Sequence, residues 1–342
     1  LSGTHRPGNS TNKPPQEGIG DNYVSKLLLA SLLALAATGA SSQTAWVSSE
    51  KDAAITLVDL QTQAVAGVVN TCKRPRHMQL APGGKQLYVA CGDSSEADII
   101  DVATRKSVRR IPMGDDPEAF DFSADGKALY VSAEDEGELL TLDAATGKKI
   151  SAVPVGKEPE GVKTSPDGKL VYVTSEVANM VHVIDAASGK LLKNVAVGKR
   201  PRRMAFTPDG AQLWVSNELG ASLSVISTKD HTLLATVPLE LKGARAEDIT
   251  PVGVAMARDG KTLFVAMGRA NHVGFVDVAS RKLIKTVLVG KRAWHVAPNK
   301  DDSRLVVTNG LSDDVTIVDV AGAKALKSVP VGRVPYMSVI VE

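Results

Sequence analysis

The sequence predicts an all-β protein, a seven-bladed β-propeller of four-stranded antiparallel blades. Three observations carry this: a fixed internal period, four alternating strands in every repeat, and two chain ends that complement each other. The period shows in Trp46-Val47-Ser48, Tyr88-Val89-Ala90, Tyr130-Val131-Ser132, Tyr172-Val173-Thr174, Trp214-Val215-Ser216, Phe264-Val265-Ala266 and Val306-Val307-Thr308. These are spaced 42, 42, 42, 42, 50 and 42. Four strands in about 40 residues is the unit of a propeller blade. Seven units fill residues 46 to 342.

Each unit opens with an aromatic-Val strand, continues with an alternating apolar strand ending in Asp, and adds a third strand ending in Val-Gly. A Pro then leads into a fourth. Alternation with period two marks all four as β-strands. The Asp recurs as Asp59, Asp101, Asp143, Asp185, Asp277 and Asp319, with Ser227 in the exception. Followed by stretches such as Ala-Ala-Thr-Gly-Lys (144–148), it reads as a side-chain cap on a hairpin turn rather than a metal ligand. Segments such as Ser165-Pro166-Asp167-Gly168-Lys169 supply hairpin glycines, and lack the alternating acids of a calcium loop. The first unit begins at its second strand, while Val334 to Glu342 form a surplus strand. That last strand is expected to complete the N-terminal blade as its innermost member and remove an open edge.

Of 342 residues, 43% are hydrophobic and 23% charged, the balance of a globular chain that can bury a core. A net charge of +2 argues against a nucleic-acid binder. Leu27 to Ala37 form an apolar run after Lys26, too short to span a bilayer but suited to a secretory signal peptide. The expected organisation is a disordered or non-native extension (1–23), a signal peptide (24–42) and the propeller (43–342), a monomer with no membrane span in its mature form.

Tyr172-Val173-Thr174-Ser175, Val306-Val307-Thr308-Asn309, the Val-Ile/Val-Asp strands and the Val-Gly-x-x-Pro segments resemble the YVTN family of β-propellers over residues 45 to 342. The resemblance is closest to the secreted members associated with pyrroloquinoline quinone (PQQ)-dependent alcohol catabolism. It implies a periplasmic, non-catalytic binding or scaffolding protein, partnered by a PQQ-dependent alcohol dehydrogenase or associated transport components. No catalytic motif comes with it.

Positions where the repeats differ are the place to look for a site. The residues after each Pro position are Arg76, Glu118, Glu160, Arg202, Val252, Trp294 and Tyr336, expected at the rim of the central channel. With Arg203 and other neighbours they predict a rim that is basic on most blades and acidic on those of the second and third repeats, its positive field attractive to an anionic ligand or acidic partner; PQQ, with three carboxylates, suits such a field. Trp294 and Tyr336 offer an aromatic wall. The fifth unit carries eight extra residues, Gly243 to Thr250, which places Arg245 at the ligand surface. His77 and His295 occupy equivalent positions on either side of Met337. Without a Cys-x-x-Cys-His sequence they read as satisfied inner-strand histidines rather than haem or metal ligands. They also belong, with Arg76, Arg202, Arg203, Arg245, Trp294 and Tyr336, to the candidate ligand site. Strand pairing brings Cys91 opposite roughly position 76, close enough to Cys72 for a disulfide in an oxidising compartment, worth about 2–4 kcal/mol. Two alternatives stand beside the scaffold: a lactonase- or lyase-like enzyme using His77, His295, Glu118 or Glu160, and a surface adhesion protein.

Overall fold

Near-continuous apolar runs such as Leu87-Tyr88-Val89-Ala90 produce strands that are buried on both faces. In Gln86–Cys91 and Leu170–Ser175 every residue after the first is buried, which demands a neighbouring sheet on either side. The computed structural model, in which residues 43–342 are described, meets this demand with seven four-stranded antiparallel sheets. The expected signal peptide and the stretch before it lie outside the described residues. Among the described residues no helix is long and apolar enough to cross a membrane.

Seven apolar clusters hold the ring together, one at each junction between consecutive blades. The seventh junction joins the last blade to the first, through Val306 and Ile317 against Val47 and Val58. Blade 1 is composite. Its innermost strand is Pro335–Val341, followed outward by Thr44–Ser49, Ala54–Asp59 and Ala64–Asn70. Trp46 faces Val339 and Val47 faces Ser338 across this closure. Blades 2 to 7 begin with the inner strands Pro75–Leu80, Pro117–Phe122, Pro159–Thr164, Pro201–Phe206, Val254–Met256 and Ala293–Pro298.

The turn aspartates act as read from the sequence. Asp101 accepts from the Thr104 amide (2.8 Å) and hydroxyl (2.7 Å), and Asp143, Asp185 and Asp277 accept in the same way from Thr146, Ser188 and Ser280.

Three local devices aim the inner strands at the axis. First, the residue before the Pro position adopts positive φ in six blades: Arg74 (55°), Asp116 (43°), Glu158 (55°), Arg200 (56°), Arg292 (59°) and Val334 (53°). A β-branched residue such as Val334 takes that conformation only when its surroundings impose it. Second, a one-residue bulge follows. Pro75 pairs with Cys91 but Met78 with Val89, and the same shift recurs at Pro159/Val162, Pro201/Met204 and Ala293/His295. A bulge re-aims side chains, so two consecutive residues of each strand meet the channel. Third, a hydroxyl from the neighbouring strand ties blade to blade. Thr174 Oγ1 accepts from the Gly161 amide (2.8 Å) and donates to the Arg202 carbonyl of the next blade (2.8 Å). Ser48, Ser132, Ser216 and Thr308 repeat this bridge. Where Ala266 stands instead, the Gly253 amide reaches the Trp294 carbonyl directly at 2.9 Å.

A disulfide joins Cys72 and Cys91, with Cα atoms 5.8 Å apart, inside the junction of blades 1 and 2. The bulge sets Pro75 opposite Cys91, one residue from the position 76 that simple pairing gives.

Candidate functional site

The bulged strands line the channel with two tiers. The first is the ring Arg76, Glu118, Glu160, Arg202, Val252, Trp294 and Tyr336; the second, one residue further along, is His77, Ala119, Gly161, Arg203, Gly253, His295 and Met337. Small residues at three places in the second tier leave space. An outer cavity of about 330 Å³ lies on the loop side of the first tier, and an inner chamber of about 150 Å³ lies around the second. Trp294 and Tyr336 line both.

The first tier is a compensated ion network, which corrects the expectation of a basic rim. Arg76 pairs with Glu118, which is fully buried, and with Glu50 at 3.2 Å. Arg202 pairs with Glu160 at 2.7 Å and with Glu176, and Arg200 binds Glu176 at 2.7 Å and Glu218 at 3.2 Å. Arg203 reaches the Glu160 carboxylate at 3.4 Å and the Tyr336 hydroxyl at 2.5 Å. Burial alone would raise Glu160, but the guanidiniums of Arg202, Arg203 and Arg76 outweigh it and hold its carboxyl down at about 2. Burial pushes Glu176 the other way, to about 7, with Glu160 and Glu218 adding to the rise against Arg202 and Arg200. The channel arginines read from the sequence as carboxylate ligands, Arg76, Arg202 and Arg203, are therefore already engaged by glutamates. Asp116, Glu118 and Glu134 lie close enough to share a cation, and Arg74 already bridges the first two, donating to Asp116 (2.6 Å) and Glu118 (3.3 Å).

Arg245 does not join the site. Its guanidinium is exposed and turned onto its own loop, against Asp248 (2.9 Å) and Glu247 (3.0 Å), and it lines neither cavity. The insertion contributes packing instead, through the buried Ile249 and Thr250.

The inner chamber gathers groups from several blades. His77 (blade 2) and His295 (blade 7) flank Met337 (blade 1), facing Arg203, Lys163 and the apolar sides of Phe120, Met204 and Trp294. His77 is no satisfied core residue: its Nδ1 is buried with no hydrogen-bond partner in the protein, and its ring meets the edge of Phe120 at 4.9 Å. His295 Nδ1 accepts from the Ser338 amide at 3.4 Å, which leaves its proton on Nε2. Burial, aided by Arg203, lowers His295 to about 3; burial, with Arg203, Lys163 and His295, drives His77 well below the ordinary imidazole value. Both rings are uncharged at neutral pH. The Trp294 Nε1 proton is also buried without a partner, while its ring tilts against Tyr336 at 5.8 Å as part of the expected aromatic wall.

Of the residues proposed from sequence, Arg76, His77, Arg202, Arg203, Trp294, His295 and Tyr336 come together at the channel. Lys163 and Phe120 were missed. Both lie on inner strands, two or three residues past the first tier, and reading the repeat alignment further along those strands would have found them.

Single residues from each inner strand thus ring two cavities at the axis of a seven-bladed propeller. A family model described as "Lactonase, 7-bladed beta-propeller" matches residues 193–328. No curated protein matches the chain. Among solved structures, the periplasmic gluconolactonase of Pseudomonas aeruginosa is similar with a TM-score of 0.75 at 21% identity, over 88% of this chain and 99% of that one. Hydrazine synthase of Kuenenia stuttgartiensis gives 0.71 at 23%, over 80% and 95%. A putative 6-phosphogluconolactonase from Bacteroides uniformis gives 0.71 at 14%, over 88% and 100%. At these identities the likeness is one of fold.

Proposed function

We propose that this propeller hydrolyses small lactones in the inner chamber. The observation that carries the reading is the pair of uncharged imidazoles, His77 and His295, enclosed with the Arg203 guanidinium in one cavity. A space of about 150 Å³ is the size that holds benzene, so it suits one five- or six-membered ring. The lactonase model over residues 193–328 and the gluconolactonase neighbour support the same class. The PQQ-linked scaffold has only the family resemblance behind it.

In this reading a water attacks the lactone carbonyl carbon and gives its proton to the free Nδ1 of His77. The carbonyl electron pair moves onto oxygen, beside Arg203 and Lys163, where fixed positive charge is worth most in an enclosed site. That developing negative charge also offsets the field that depresses His77, making it a stronger base when the proton arrives. Collapse of the adduct breaks the ring C–O bond, and the departing oxygen takes a proton from the imidazole pair. The product is an open-chain hydroxy acid. A periplasmic setting fits the Cys72–Cys91 disulfide, since such bonds persist in oxidising compartments.

The test is acid release from aldonolactones by the purified chain. His77→Gln is expected to cut kcat by about a hundredfold, the usual scale of general-base loss, with an unchanged melting temperature. A variant as fast as the parent, or a parent no faster than buffer, overturns the reading.

A further inference from the structure

We propose that Arg269 and Arg292, backed by the Trp294 ring, form a carboxylate-binding site in the outer cavity, at the side of the mouth made by blades 6 and 7. Its ligand is the carboxylate of a small hydroxy acid. Naming the ligand so rests on the lactone reading; the site itself does not.

At one repeat position on the mouth, directly after the second strand except in blade 6, where Met267 intervenes, four blades carry Glu50, Glu134, Glu176 and Glu218, and three carry Gly92, Gly268 and Gly310. The glutamates on blades 1, 4 and 5 lie within ion-pair distance of Arg76, Arg200 or Arg202. On blades 6 and 7 the acid is missing, while Arg292 keeps the position of Arg74 and Arg200, and Arg269 stands beside Gly268. Arg269 and Arg292 line the cavity, and among the described residues neither guanidinium makes an ion pair. Compensation is only at longer range, from Asp248 on Arg269 and from Glu218 and Glu50 on Arg292. The Arg292 guanidinium carbon lies over the Trp294 ring, 4.4 Å from its centroid, and a guanidinium held on an aromatic face can still present its N–H groups to a planar anion. Half-burial and the neighbouring positive charges of Arg269 and Arg202 act against its charged form, a repulsion that a bound anion relieves.

The glycines show that the opening at blade 7 is not a steric necessity. A Cβ at Gly92 would run into the Arg74 and Asp116 side chains, and one at Gly268, where φ is +46°, would strike Thr250. At Gly310 the nearest atoms are carbonyl oxygens 3.7 and 3.8 Å away. A glutamate fits there, as on four other blades, and would fill the site from within.

Trp46 and Trp214 are buried elsewhere, so a fluorescence response to ligand reports on Trp294, and Trp294→Phe assigns it. Titration with sodium gluconate in the absence of any lactone is expected to give a saturable change that neutral sorbitol does not give. Gly310→Glu and Arg292→Gln are each expected to weaken it by about tenfold or more, the loss of one charge-assisted contact. If Gly310→Glu does not fold, Arg269→Gln and Arg292→Gln decide. No response, or a response that survives these substitutions, overturns the site; inorganic phosphate binding as tightly as gluconate overturns its assignment to a carboxylate. Because nothing is turned over, the result stands apart from the fate of the hydrolysis reading.

Discussion

His295 titrates in the unfolded chain near the ordinary imidazole value of 6.5, but its folded environment holds it to about 3, and His77 is shifted in the same direction. The unfolded state therefore takes up protons first as pH falls, and the stability tied to His295, complete above pH 6.5, is lost toward pH 3. Its slope approaches about 1.4 kcal/mol per pH unit within that window, and His77 adds in the same direction. Glu176 opposes them. Its raised folded value means that the native state binds a proton below about pH 7, before the unfolded chain does, so acidification to about pH 4.5 stabilises through this group. Urea midpoints measured from pH 7 to 5 are expected to fall; His295→Gln should make the fall shallower and Glu176→Gln steeper. The sequence offered the arginines of this network but not its balance. The period that places Arg76 and Arg202 also aligns Glu50, Glu176 and Glu218, yet that these loops reach the arginines of adjacent inner strands depends on the bulges and left-handed residues that turn each strand inward.

At the level of strands, the hydroxyl in the third position of the Tyr-Val-Thr segment is the part whose role is least apparent from pattern alone. Alternation explains why Tyr172 and Val173 are buried; it does not explain a polar Thr174 at the same depth. The structure does, since Thr174 serves two backbone groups of two blades at once. Thr174→Val keeps the shape and removes both bonds, leaving the Gly161 amide and the Arg202 carbonyl unpaired. The expected loss is about 1–3 kcal/mol in chemical denaturation, against near-neutrality for the same exchange at an exposed outer-strand threonine. Turn aspartates were legible because their partners lie two or three residues away. The bridge was not, because its partner lies 28 residues on, in another blade.

For the whole ring, period and strand pattern were sufficient: repeat count, blade composition and closure can be written down from residues 44 to 342 before any coordinates. The chamber was half legible, since the rings of residues follow from the period but the space within them follows from Ala119, Gly161 and Gly253, whose small size carries no signal in a single sequence. Removal of residues 334–342 strips the inner strand from blade 1 and leaves one edge of Thr44–Ser49 unpaired; the truncated chain is expected to aggregate or lose its cooperative melting transition, and one that melts like the parent contradicts the closure. The same seam has a consequence in time. Thr44 meets Val341 across a separation of 297 residues (341 − 44), and pairings so distant in sequence are slow to form because loop-closure entropy is lost before any contact rewards it. Blades 2 to 7 can each collapse as local meanders while the chain is still being made; the circle shuts only when the final segment is delivered. Until then the Thr44–Ser49 edge stays open to chaperones or to a second nascent chain.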